Sequence, residues 1–212
     1  VGDPVRGQSI IGYLNASVGV ILAVTILLMG AIADKTGRRK PWIMVTYGLL
    51  SASGFFLWYV MPEGKGLGLG ATVALIFLIL IAFAYAEVFH NAMLPSVTPV
   101  DKVGEVSGLA FALGNLGGVG SMIFVLIAFA LPGVESWWFL PEQPFFGIDQ
   151  SQHEHDRIVG PIAGLLIMIF ILPLLLFTPD GTTRGMSIRQ AASQGVREVL
   201  ETVRQLRHYA NI

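Results

Sequence analysis

Five apolar runs, each about 20 residues long, constrain this chain more than any motif in it. They cover about Ile10–Ala33, Trp42–Met61, Gly70–Ala92, Val106–Leu131 and Val159–Thr178. A helix of that length crosses a hydrocarbon core of about 30 Å while satisfying its own backbone hydrogen bonds. The remaining composition agrees, with 54% hydrophobic and only 13% charged residues, against about 25% charged in a soluble domain. The expected fold class is an all-α membrane protein with five transmembrane helices.

The breaks between runs hold the proline, glycine and charge of connections, as in "MPEGKGLG" and "LPSVTPVDKVGE". Lys and Arg collect on the cytoplasmic side of membrane proteins. If Lys35–Lys40 is inside, alternation also puts Lys102 and arginines 184, 189, 197, 204 and 207 inside. Ten of the 13 cations then lie inside (four, one and five), against Arg6, Lys65 and Arg157 outside. The N-terminus is expected outside and the C-terminus in the cytoplasm. Residues 1–178 form the membrane part, and 179–212 a cytoplasmic linker.

Within that linker, Ser187 and Gln190 make a capping box. Val196, Val199, Leu200, Val203 and Leu206 then recur at helical spacing, with Arg197 and Glu201 four apart on the other side. An amphipathic helix at the membrane surface and a solvated linker helix both fit this pattern. A net charge of -1 calls for no strongly charged partner such as nucleic acid, and the absence of Cys excludes disulfides. "VGDPVRGQ" is not a signal peptide, and the chain reads as a segment of something longer.

The connection Pro132–Arg157 carries Trp137, Trp138, Phe139, Phe145 and Phe146, rings that favour the membrane interface. Its "HEHD", His153–Asp156, offers alternate imidazoles to a metal. A solvated loop is the expectation there, with no metal assigned.

The densest charge lies in Gly30–Lys40, "GAIADKTGRRK", between the first two runs. Gly30 lets a neighbouring helix approach, and Gly37 permits a tight turn. Arg38, Arg39 and Lys40 can neutralise Asp34 and hold an anionic leaflet. Asp34 is what topology alone leaves over: a carboxylate at a span end calls for an arginine or a helix N-terminus. Gly30, Asp34, Gly37, Arg38 and Arg39 match the pattern G-x-x-x-D-[RK]-x-G-[RK]-[RK]. In this the segment resembles the signature loop of the major facilitator superfamily, which joins its second and third helices on the cytoplasmic side. The resemblance implies that Asp34 and Arg38 form an ionic latch with the other six-helix half, made and broken during alternating access.

A second stretch, "FHNAMLPSVTPVDKVGEVSGLAFALGNLGG" (Phe89–Gly118), resembles the branch of autophagy-related vacuolar amino-acid effluxers and their bacterial relatives. It keeps Phe89, Asn91, Ala92, Leu94, Pro95, Ser107, Gly108, Gly114, Gly117 and Gly118 of that pattern. It departs from it at His90, Ala110 and Asn115. The resemblance implies that the five spans are helices two to six of a six-helix half. The missing first helix and the C-terminal six-helix half would then be partners, alongside the lipid bilayer and a small solute. It further implies a secondary transporter exporting amino acids or similar solutes, in a bacterial inner membrane or, in a eukaryote, the vacuolar membrane. The alternative is a non-transporting scaffold or assembly subunit within a larger membrane complex.

Glu87 is the one acidic group inside a span. His90 and Asn91 follow at i+3 and i+4, so the three can share a face. Glu87 could carry a coupling proton or bind a substrate ammonium, or it could be a structural carboxylate near the cytoplasmic interface. In the fourth span, Gly104, Gly108 and Ala112, and Gly114 with Gly118, make small-xxx-small patterns for close packing. Asn115 among them, and Asn15 on the first span, are candidates to meet a solute, with Ser17 and Thr25 weaker ones. Pro173 should kink the last span. No phosphate loop, zinc-ligand spacing or nucleophile elbow is present, so neither an enzyme nor a cofactor is expected.

Overall fold

The computed structural model describes residues 4–62, 65–181, 186, 189–197 and 201. Five helices among them are long and apolar enough to cross a membrane. They are α1 (Pro4–Thr36), α2 (Lys40–Phe56), α3 (Leu69–Val97), α4 (Val103–Val125) and, after the single-turn helix α5 (Glu154–Arg157), α6 (Val159–Phe177). No β-strand forms among the described residues. The capping box at Ser187 and the apolar positions Val199, Leu200, Val203 and Leu206 lie outside the described residues. Residues 189–197 are helical, and Arg197 reaches Glu201 at 3.1 Å as their spacing predicts.

Two helices, α1 and α3, outrun the apolar runs that announce them. α1 has 33 residues, about 50 Å at 1.5 Å per residue, so it exceeds the hydrocarbon core at one or both ends or tilts within it. Hydropathy ends where polar residues begin, whereas the hydrogen-bond ladder runs on until something stops it. In α3 that stop is not Pro95, which lies inside the last turns, but Thr98, extended at φ -136° ahead of Pro99. The connection expected to begin at Leu94 therefore shrinks to a short extended step and a 3₁₀ turn over Val100–Lys102. Pro41 sits in the first turn of α2, where its missing N–H costs nothing. Pro173 lies inside α6, which is helical on both sides of it.

The core is built by α1, α2, α3 and α6. Ala33, Ile43, Phe89, Met93 and Ile171 are buried together, and Trp42, Tyr85 and Leu174 pack on them. The Trp42 and Phe89 rings lie 5.7 Å apart, within the range of favourable aromatic pairs. The tightest helix contact joins α2 to α6. A Cβ on Gly54 would lie 2.7 Å from the Gly160 carbonyl, and one on Gly164 would lie 2.7 Å from that of Ser51. The Ser51 hydroxyl donates to the Gly164 carbonyl at 2.9 Å across this seam. Small residues here let two backbones touch, the main packing device where lipid removes the hydrophobic drive.

α4 behaves differently, because none of its residues is buried. A Cβ on Gly104, Gly108, Gly114, Gly117, Gly118 or Gly120 would meet nothing within 4 Å. The close packing expected of this stripe has no partner among the described residues. The helix continues as a π turn over Leu126–Ala130, whose fully buried Phe129 packs against Phe124, Phe145 and Phe146. Gln150 donates to the carbonyls of Phe129 at 2.8 Å and Pro132 at 2.9 Å, capping the end of this helix with a loop side chain.

Candidate functional site

Two features carry chemistry: a knot of charge at one end of the bundle, and a groove opening beside it. The knot is built on Gly30–Lys40. Gly37 takes φ 76°, the left-handed conformation that glycine adopts without penalty, and its N–H donates to the Ala33 carbonyl at 3.2 Å. That turn brings Arg39 back over α1, where its guanidinium meets the Asp34 carboxylate at 2.6 Å. A second guanidinium N–H of Arg39 donates to the Ala92 carbonyl of α3. Asp34 thus finds the arginine its position calls for, but at Arg39 and within this chain. Arg38 forms no ion pair among the described residues; it borders a shallow depression with Thr36, Pro41, Trp42 and Val45. Gly30 approaches no neighbouring helix, since a Cβ there would meet nothing within 4 Å.

Asp180, just beyond α6, completes the knot. Its carboxylate accepts the backbone N–H of Arg39 at 2.9 Å and, more weakly, that of Lys40 at 3.4 Å. These lie at the start of α2, where donors are unpaired and the helix dipole favours an anion. Lys40 answers in the opposite sense, donating from Nζ to the Leu175 carbonyl at 2.7 Å, close to the α6 C-terminus. Gly181 also packs directly on the Gly37 carbonyl. Four side chains and a glycine turn thereby tie α1, α2, α3 and α6 together, and α4 is left out. Lys40, expected to neutralise Asp34 or hold a leaflet, instead binds the Leu175 carbonyl, and Asp180 escaped the sequence reading; the signal for Asp180 is a carboxylate directly after the last apolar run, in "TPD".

The groove, about 630 Å³, lies between α4 on one side and α2, α3 and α6 on the other. Glu87, His90 and Asn91 line it together, as their spacing predicts, with Tyr47, Phe83, Phe111 and Ser107 among its other walls. The Tyr47 hydroxyl lies 3.0 Å from Nδ1 of His90, joining α2 to α3 at the groove wall. Tyr47 escapes a reading of the sequence, since it reads as one aromatic in an apolar span. Among the described residues, Glu87 is the sole acidic side chain of the lining.

The other candidates stand apart. Asn115 donates to the Phe111 carbonyl at 2.8 Å and Asn15 to that of Ile11 at 3.0 Å, each bonded along its own helix and outside the groove. Ser17 does the same with Tyr13, whereas Thr25 also reaches the Tyr85 hydroxyl at 2.5 Å, linking α1 to α3.

At the opposite end, Arg157 acts as a second clasp. Its side chain is 8% exposed, lies 4.9 Å over the Trp58 ring and donates to the Trp58 carbonyl at 2.9 Å. It ties the start of α6 to the end of α2.

A bundle of apolar spanning helices, with a charged clasp at one end and a groove containing one carboxylate, defines a helical membrane-transport protein. The family of MFS/sugar transport proteins matches residues 8–211, and the chain belongs to that family, which carries sugars and other small solutes across membranes. No curated protein and no solved structure matches the chain.

Proposed function

We propose that this chain is part of a secondary active transporter that exports amino acids or similar small zwitterionic solutes by alternating access. The observation that carries the reading is the groove, lined by Glu87, His90 and Asn91 of α3 together with Tyr47 of α2. A carboxylate inside a membrane bundle is costly and faces a cavity or a partner. Here it supplies one anion, with hydrogen-bonding neighbours and apolar walls, to a solute bearing an ammonium or to a coupling proton. The branch resemblance in Phe89–Gly118 supports amino acids over other solutes. The family's own description names sugars, and the amide and hydroxyl groups of Asn91 and Tyr47 suit a sugar equally well. The cytoplasmic placement of Lys35–Lys40, and residence in a bacterial inner or a vacuolar membrane, belong to the same proposal.

The test is solute flux by the full-length protein in reconstituted vesicles. A screen of amino acids against sugars identifies the class. Glu87→Gln should then reduce flux of the accepted solute, whereas Asn115→Ala should leave it near the native level. Native flux in Glu87→Gln refutes the groove as the transport site.

A further inference from the structure

The connection between α4 and α6 brings His153, His155 and Asp156 together, with one donor atom of each lying within 4.8 Å of the others. We propose that these three side chains form a binding site for a divalent transition cation of the zinc class. Two imidazoles and a carboxylate are the donor types that zinc takes. Ligands about 2.1 Å from a tetrahedral zinc lie roughly 3.4 Å from one another. Nδ1 of His153 is 3.3 Å from one Asp156 oxygen, and Nε2 of His155 is 3.6 Å from the other. Both contacts, one to each Asp156 oxygen, are thus already near the length of a coordination edge, and the two rings stack 5.9 Å apart. A single carboxylate neutralises no more than one imidazolium. A divalent cation engages both imidazoles in their neutral form.

The surrounding loop holds these groups without competing for the ion. Glu154 is occupied, accepting the Asp149 N–H at 2.7 Å and pairing with Arg157 at 3.4 Å. Asp149 accepts both the hydroxyl and the N–H of Ser151, which keep its carboxyl below the ordinary range. The side chains of His153 and Asp156 are 60% and 68% exposed, so a hydrated ion reaches them directly. Three protein ligands leave a coordination position for water or a passing anion. His155 Nδ1 is buried without a hydrogen-bond partner among the described residues. A ligating histidine normally donates that N–H to a second group, and lacking it costs about 10–100-fold in affinity. The site is therefore an exchangeable one rather than a permanent structural zinc.

The experiment is a zinc titration of the purified, tag-free protein against a chromophoric chelator. One zinc per chain is expected, with affinity reduced roughly tenfold or more in His153→Gln, His155→Gln and Asp156→Asn. His208→Gln should bind as the native protein does. Native affinity in the three variants overturns the site. In case a variant misfolds, the native protein gives a second readout: zinc should protect His153 and His155 from diethyl pyrocarbonate, as mapped by mass spectrometry. Equal modification with and without zinc also overturns it.

Discussion

Asp34 pairs with Arg39, 2.6 Å away, leaving Arg38 without an ion-pair partner among the described residues. The Asp34 side chain is 57% exposed, so the pair adds only about 0–1 kcal/mol to stability. Asp34→Asn in the full-length protein should therefore express and melt nearly as the native protein does, yet transport poorly if the clasp opens and closes. Arg38→Ala should leave the melting temperature unchanged and impair flux through contacts beyond this chain. Normal flux in both variants would remove the latch role from this segment.

Asp180 makes a purely structural prediction. Removing an anion that caps a helix N-terminus costs about 0.5–2 kcal/mol. Asp180→Ala should lower the melting temperature of the detergent-solubilised protein, and Asp180→Asn should lower it less, because the amide oxygen still accepts the Arg39 N–H. Identical melting in all three proteins would show that α2 does not depend on this cap.

The α2–α6 seam is predicted to be intolerant of added volume. The Cβ of Gly54→Ala would press on the α6 backbone at two residues, 2.7 Å from the Gly160 carbonyl and 3.3 Å from Gly164, an overpacking that costs about 1–3 kcal/mol. Gly117→Ala on α4 meets open space and should leave the stability of this chain unchanged or slightly raised by helix propensity. Thermal unfolding of the two variants side by side checks the contrast, and equal effects would contradict it.

Orientation is testable without any transport assay. Reporters fused after Lys40 and after Glu63 should report opposite sides, cytoplasmic and external respectively, by the positive-inside bias. The same side for both would mean that α2 does not span.

The spans were legible because hydropathy and helix length are local properties, and the Glu87–His90–Asn91 face because i+3 and i+4 spacing is. Two kinds of feature were not. The partner of Asp34 depended on the Gly37 turn, which selects Arg39 over its neighbour by backbone direction rather than by charge. The Asp180 cap joins residues 141 positions apart, a distance over which no periodicity operates. The tight seam did have a signal, Gly160-xxx-Gly164. The denser glycines of α4 drew attention away from it, although among the described residues nothing lies within 4 Å of where their Cβ atoms would stand.

The bonds from Asp180 to Arg39 and from Lys40 to Leu175 also impose an order on biogenesis. Both close the start of α2 with groups that leave the ribosome only after α6 has been made. Until then α2 enters the membrane with its first N–H groups uncapped and Lys40 unmatched. A chain stalled before Asp180 keeps the Arg39 bonds to Asp34 and Ala92 and the Lys40 bond to Leu175, but lacks the carboxylate that caps the start of α2.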